Sequence, residues 1–483
     1  MVDYVSALSI DFDLIGPEIS LLVAASLILM TAFTRRGALL APGLAIVGLV
    51  VSLSLAGEQW GNQKAGFAGM VTCDNFGVMF KMIFSTTALL TVFAAYRFLK
   101  VKGIQRPEFY ALLLISITGM MVMANSTDLV VMFLGLEVMS VPLYVLAGFN
   151  RRSLESNESG IKYFFMGAFA SAFLLMGIAF IFGAAETTNL RRIVADYSYI
   201  VGNYRVYLYA GVALSLIGFG FKIASVPFHT WVPDVYQGAP TPVTAFFSVA
   251  PKAAGFAVIL RVFTFGFAEV AILTGVFWVL AVLTMSVGNI LALRQDNVKR
   301  MLAYSSISHA GYILVAVTVG GAEAVSAVIF YLIAYMFFNL GGFTVVTVLE
   351  TRAGCKSDFS ELTGLARSNP YLSAVLALFM FALAGFPPTV GFFGKFYVFS
   401  AAIRAGFVTL VVIGVLNSFV SVYYYLRVIK TCYFEQSEGG RPAAVVTPSI
   451  FIVLLATVAG TLGLGFFPQR LLELSQAAIF AFL

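Results

Sequence analysis

The chain has 483 residues, 60% of them hydrophobic and only 11% charged, with a mean hydropathy of +0.95. A soluble domain is about 45–50% apolar, so this composition excludes one. The formal charge of +6 does not argue for nucleic acid, because the Lys and Arg cluster in particular loops, as membrane topology requires.

A spanning helix needs about 20 apolar residues. Fourteen stretches qualify: residues 15–33, 37–56, 76–98, 107–124, 128–148, 160–184, 205–226, 242–264, 270–292, 299–320, 323–349, 370–402, 407–429 and 447–467. They are continuous rather than alternating, which favours helices over a β-barrel. The expected fold is an all-α polytopic membrane protein of about 14 transmembrane helices. With the N-terminus outside, most cations fall inside, among them Arg35, Arg36, Lys100, Lys102, Arg151, Arg152, Arg294, Lys299, Arg352, Lys356, Arg427 and Arg441. Lys64, Arg191, Arg192, Arg205, Arg261 and Arg404 then lie outside. This bias predicts that both termini face outward. Asp3, Asp11 and Asp13 leave no basic n-region for a cleaved signal peptide, and no Arg-rich leader for mitochondrial import, which points to a bacterial inner membrane.

Along the chain the connections are short, and no soluble domain is expected. The longest polar segments are 186–205, 350–369 and 435–441. The first reads equally as a small amphipathic surface helix or a solvated loop. Lys81, near the start of its span, is expected to snorkel to the surface.

Two stretches break the helical pattern. One runs from Ser225 through Pro227, His229, Trp231, Pro233 and Asp234 to Pro242; the other is Ala384-Gly-Phe-Pro387-Pro388-Thr-Val-Gly391. Proline removes a backbone donor and clashes with the preceding turn. Irregular backbone at membrane depth is tolerated only inside protein or beside a water-filled cavity. The breaks fall in spans seven and twelve, and an odd offset of five reverses the orientation of one repeat. Spans four to eight and nine to thirteen are therefore read as two inverted five-helix repeats. The implied divisions are 1–106 for flanking helices, 107–268 and 269–432 for the repeats, and 433–483 for a last helix and tail. Asp128 and Asp296 open comparable spans in the two halves.

Four charges stand in apolar surroundings: Glu137, Lys222, Lys252 and Lys395. A charge at the bilayer centre costs roughly 2.5–3.5 kcal/mol or more, so such residues pair, face water, and mark ion paths. Glu137 is the natural counter-charge for one lysine, Lys222 above all. If the carboxylate moves, the lysine's hold on its proton changes, and the pair gates a relay; a static ion pair is the alternative. Pro251 precedes Lys252 and is expected to bend the helix and leave room for water. One lysine cannot conduct across about 30 Å of hydrocarbon, but several titratable sites bridged by water can. His229 and His309 suit proton transfer. The first sits beside Asp234 at a break, the second in a polar strip with Tyr304 and Ser308. Two isolated histidines make no metal site, and Cys73, Cys355 and Cys432 are too scattered for zinc or an iron–sulfur cluster.

The passage Phe221-Lys-Ile-Ala-Ser-Val-Pro-Phe-His-Thr-Trp-Val-Pro-Asp234 with Gly238-Ala-Pro-Thr-Pro-Val-Thr244 resembles the signature of the antiporter-like subunits of respiratory complex I, the proton-pumping NADH–quinone oxidoreductase. Mrp-type cation/proton antiporters are relatives. Arg300-Met-Leu-Ala-Tyr-Ser-Ser-Ile-Ser-His309 resembles the family's second-repeat motif. Phe386-Pro-Pro-Thr-Val-Gly-Phe-Phe-Gly-Lys-Phe-Tyr397 is most similar to the subunit N branch. The resemblance implies a relay of Glu137, Lys222, Lys252 and Lys395, with Lys395 toward the exit side. Lysine there is similar to subunits L and N rather than M, and the long lateral helix of subunit L is not expected here. It also implies that no cofactor binds this chain, since NADH, FMN, iron–sulfur clusters and quinone belong to other subunits. The implied partners are subunit M, the small subunits K and J, the lateral helix of subunit L, and membrane lipids. Two alternatives remain: an Mrp-type antiporter subunit, and a scaffold whose charges only hold helices together.

Overall fold

A computed structural model describes residues 11–352, 357–435 and 444–479. Asp3, Cys355, Lys356, Arg441 and most of the 435–441 polar segment therefore lie outside the described residues. The helices, in chain order, are α1 (Gly16–Thr31), α2 (Gly37–Glu58), α3 (Asn75–Val101), α4 (Pro107–Asn125), α5 (Leu129–Ala147), α6 (Leu154–Ala185) and α7 (Leu190–Ala195). Then come α8 (Tyr197–Ile223), α9 (Trp231–Gly238), α10 (Thr241–Ile259), α11 (Ile272–Ala292), α12 (Val298–Val319) and α13 (Gly321–Glu350). The last are α14 (Leu365–Ser368), α15 (Pro370–Ala384), α16 (Val390–Arg404), α17 (Val408–Phe434), α18 (Pro448–Phe466) and α19 (Pro468–Ala477). A hairpin of β1 (Lys64–Gly66) and β2 (Val71–Cys73) joins α2 to α3. Nothing in the residue pattern of 59–74 announces it.

Among the described residues, thirteen helices are long and apolar enough to cross a bilayer. The twelfth expected crossing, 370–402, is split into α15 and α16, of 15 residues each, and neither piece spans alone. The 186–205 segment holds the six-residue α7 and then the early start of α8, which begins at Tyr197 and kinks at Tyr204 (φ −130°, ψ 26°). That crossing is longer than the expected 205–226.

The same backbone clasp occurs twice. Leu129 N–H donates to Thr188 O at 2.9 Å and Leu190 N–H to Thr127 O at 2.9 Å; in the second half Val298 N–H donates to Ser357 O at 2.7 Å and Phe359 N–H to Asp296 O at 3.0 Å. Asp128 caps α5, and Asn297, next to Asp296, caps α12. Side-chain oxygens at these positions satisfy helix N–H groups that have no partner one turn back. Close packing repeats as well. A methyl at Gly119 would lie 2.3 Å from Met139 N across the α4–α5 contact, and one at Gly311 2.5 Å from Met285 N across α11–α12. Small residues let these helix backbones approach, as membrane interfaces demand.

At the centre stands α10, every residue of which is buried. It packs against α3, α4, α5, α8, α9, α12 and α13. Pro251 does not break it. The carbonyl that Pro251 leaves free, four residues back at Phe247, accepts from the Tyr236 hydroxyl at 3.1 Å, so the helix continues.

Two charges have other places than expected. Lys81 does not snorkel. It is fully buried and pairs with Glu18 at 2.9 Å, while also donating to Gln59 Oε1 at 3.0 Å and Leu14 O at 3.2 Å. Arg261, expected at the outer edge, is fully buried and binds Asp74 with both terminal nitrogens, at 2.9 and 2.7 Å. The partners Glu18 and Asp74 stand at helix N-termini, where carboxylates are favoured.

Candidate functional site

The first break spans residues 224–230, between α8 and α9. Ala224 ends α8 in the left-handed region (φ 62°, ψ 38°), and the Val226–Pro227 bond is cis. Two groups freed by the break find side-chain partners: Val226 N–H donates to Thr284 Oγ1 at 3.0 Å, and the Trp231 indole donates to Phe221 O at 3.2 Å. Pro233 falls in the first turn of α9, where no N–H is needed, so it does not itself break a helix.

Lys222 lies one residue before the end of α8 and is buried. Its Nζ donates to Ser140 Oγ at 2.7 Å, with the rings of Tyr144, Phe221 and Tyr163 at 5.5, 5.6 and 5.7 Å. Aromatic faces supply a weak attraction for a cation where water is absent. Glu137 does not form the expected ion pair with it; among the described residues no ion pair joins Glu137 to any lysine. Its Oε1 instead accepts from Ser171 Oγ at 2.5 Å. Residues 137 and 140 share one face of α5, a turn apart, so the lysine meets the serine while the carboxylate turns toward α6.

Lys252, in the middle of α10, donates to both Ser306 O and Ser306 Oγ on α12, each at 2.6 Å. The neighbouring Ser305 hydroxyl shares a 2.5 Å hydrogen bond with Tyr425 OH, which also bonds His309 Nε2 at 3.1 Å. His309 Nδ1 meets Tyr331 OH at 2.6 Å. The Tyr425 ring lies tilted against that of Tyr424, whose hydroxyl donates to Asn289 Oδ1 at 2.8 Å; Asn289 Nδ2 in turn donates to Tyr312 OH at 3.1 Å. The Tyr312 ring lies 4.9 Å from Lys395 Nζ.

Lys395 sits beside the second break. Gly385 (φ 87°) ends α15, and the Pro387–Pro388 bond is cis. Lys395 Nζ donates to Leu383 O at 3.2 Å, Ala384 O at 2.9 Å and Ser418 Oγ at 2.8 Å. Carbonyls at the C-terminus of a half-helix carry partial negative charge, so a cation is favoured there. Polar side chains thus run from Lys252 to Lys395, through a region that the sequence composition makes hydrophobic.

A family model described as "NADH:quinone oxidoreductase/Mrp antiporter, TM" matches residues 126–421. NADH-quinone oxidoreductase subunit N of Trichlorobacter lovleyi is 45% identical over 476 residues, covering 98% of this chain and 97% of that protein. The chain belongs to the NADH:quinone oxidoreductase/Mrp antiporter family. A chain in the solved respiratory complex I from Thermus thermophilus with bound Aureothin superposes with a TM-score of 0.81 at 32% identity, over 96% of this chain and 100% of that one. A chain of the Mrp complex from Dietzia sp. DQ12-45-1b has the same fold, with a TM-score of 0.83 at 23% identity over 97% and 96% of the two chains.

For a member of this family, the arrangement separates the expected residues into two groups. His309 joins the network; His229 does not, and its buried Nδ1 has no partner. Tyr304 and Ser308 stay outside too. Ser308 Oγ bonds back to Tyr304 O at 3.2 Å, on the side of α12 that packs against Gly288 of α11. The face toward Lys252 and Tyr425 is that of 305, 306 and 309. Asp234 is a surface tie rather than a buried relay group: it binds Lys162 and Arg300, each at 2.7 Å, and so fastens α9 to α6 and α12. Sequence reasoning missed Ser140, Ser306, Tyr425 and Asn289, which are common residue types with no spacing signature. It also missed Lys299 and Glu350, which stand 3.6 Å apart.

Proposed function

We propose that this chain is a membrane-arm subunit of an NADH–quinone oxidoreductase, of the subunit N kind, and that it moves protons through Glu137, Lys222, Lys252 and Lys395. The observation that carries the reading is the row of buried polar side chains between Lys252 and Lys395, made of Ser306, Ser305, Tyr425, His309, Tyr424, Asn289 and Tyr312. Polar groups so placed in a membrane are costly and mark ion paths. Lys222 and Glu137 form the first unit and Lys252 the central station, with Lys395 toward the release side. The two halves, 107–268 and 269–432, act as inverted repeats that meet at Lys252 and Ser306. The twin backbone clasps at Asp128 and Asn297 support that division.

Electron transfer from NADH to quinone takes place in other subunits, which hold the flavin and iron–sulfur clusters. The chain lies in a bacterial inner membrane with both termini outward, next to subunits M, K and J and the lateral helix of subunit L. When Glu137 shifts between Ser171 and Lys222, the lysine holds its proton or passes it on. In inside-out vesicles, Lys252→Ala lowers NADH–quinone turnover and proton uptake together. Normal values of both at normal assembly would refute the relay. The shared fold with an Mrp complex favours a second reading, cation/proton exchange, in which proton flux follows Na⁺ without NADH or quinone.

A further inference from the structure

At the foot of α10 lies a cavity of about 350 Å³, lined by Lys102, Glu155, Lys299, Glu350, Ser357 and Asp358. Lys102 and Glu155 are exposed at its rim, whereas Lys299 is buried. A polar space of this size readily holds water. Glu350, the last residue of α13, lies 3.6 Å from Lys299 Nζ and accepts hydrogen bonds from the hydroxyls of Thr241 and Ser357. Lys299 also donates to Ala239 O at 2.8 Å. The relay described above uses neither Glu350 nor Lys299.

Thr241 opens α10, and the helix that follows is polar along one line. Thr241, Thr244, Ser248 and Lys252 are all buried and fall within about 80° of arc at 100° per residue. From Thr241 to Lys252 the rise is about 16 Å. Asn339 of α13 donates to Ser248 Oγ at 2.5 Å, so the middle of the line has a polar partner across the helix contact. Thr244 Oγ1 also donates to Tyr236 O at 2.9 Å and Ser248 Oγ to Ala245 O at 2.7 Å, so the hydroxyls of the line are held in place along the helix.

The geometry points to Glu350 as the residue that takes protons up from the cavity and loads Lys252 along Thr241, Thr244 and Ser248. The inference rests on the proton-translocating reading. The carboxylate takes a proton from hydronium, or from water whose hydroxide returns to the inner aqueous phase, and gives that proton up again to the line. One proton then enters the hydroxyl and water line at Thr241 as another leaves it at Ser248, and the Lys252 amine becomes an ammonium. No other group changes its charge. The charged groups facing Glu350 are Lys299 beside it and Lys102, Glu155 and Asp358 around the cavity. Lys299 positions the carboxylate.

The test uses the assembled complex in inside-out vesicles, with NADH–quinone turnover and proton uptake followed from pH 6 to 8.5. Glu350→Gln keeps the size and the acceptor oxygen but cannot carry a proton in the same way. Uptake by the variant depends on free hydronium, so its deficit grows as pH rises and reaches roughly tenfold or more at the alkaline end. Glu350→Asp restores the profile. Ser248→Ala, which lies away from the cavity and its ion pair, lowers pumping without altering assembly. Wild-type pH profiles for both Glu350→Gln and Ser248→Ala, in a preparation where Lys252→Ala abolishes pumping, would overturn the entry route and leave the relay standing. Normal pumping by Lys252→Ala would overturn both. A loss in Glu350→Gln that is equal at every pH, with Ser248→Ala normal, would make Glu350 structural and also overturn the route.

Discussion

Lys222 donates its hydrogen bond to Ser140, not to Glu137, although the two acceptor residues are one turn apart on α5. The carboxylate is held by Ser171 on α6. In the proposed relay, Ser171 and Lys222 would be the two partners of Glu137, and a swing of its side chain between α6 and α8 would change the field at Lys222 without moving a helix.

Ser140 is the first test of this arrangement. Ser140→Ala leaves a buried lysine one hydrogen bond short, and such bonds to charged groups are worth about 1.5–3 kcal/mol. Turnover coupled to pumping falls about tenfold or more, since 1.36 kcal/mol on a barrier is a factor of ten. Ser140→Thr keeps the hydroxyl and most of the activity. Turnover and proton uptake in the same vesicles measure both, and an Ala variant with full activity would remove Ser140 from the path.

Tyr425 connects Ser305 to His309. Tyr425→Phe removes that hydroxyl and keeps the ring against Tyr424 at a centroid distance of 4.4 Å. Assembly stays near normal, while proton uptake falls roughly tenfold or more, the usual scale for a lost proton-transfer group. Unimpaired pumping would show that protons bypass His309.

The Arg261–Asp74 pair serves stability. Breaking a buried pair by removing one partner typically costs about 3–5 kcal/mol, whereas replacing both is far milder. Arg261→Leu is expected to lower the heat resistance of the assembled complex sharply, and Arg261→Leu with Asp74→Leu to regain much of it. Pumping per assembled complex remains unchanged in the double variant. Heat-challenged membranes analysed on native gels would show this. Equal losses in the single and double variants would mean that the pair is not the source of the stability.

Much of the fold was legible because a bilayer imposes length and hydropathy on each crossing. The broken crossings were legible because Pro227 and the Pro387–Pro388 pair cannot donate to a helix ladder. Pro251 and Pro233 misled. Tyr236 takes the carbonyl freed by the first, and the second stands in a first turn. Lys222, Lys252 and Lys395 stood out as charges in apolar runs, but what each touches did not. Ser140, Ser306 and Ser418 reach them from other helices, and hydroxyl residues are too common in membrane helices to mark a site. Lys81 and Arg261 were placed at the surface because their partners, Glu18 and Asp74, are 63 and 187 residues away.

The most direct measurement is NADH–quinone turnover and proton uptake recorded together in inside-out vesicles carrying Lys222→Ala at normal assembly. The relay predicts that both fall in parallel. Unchanged turnover with unchanged pumping would contradict it and make Lys222 a structural residue.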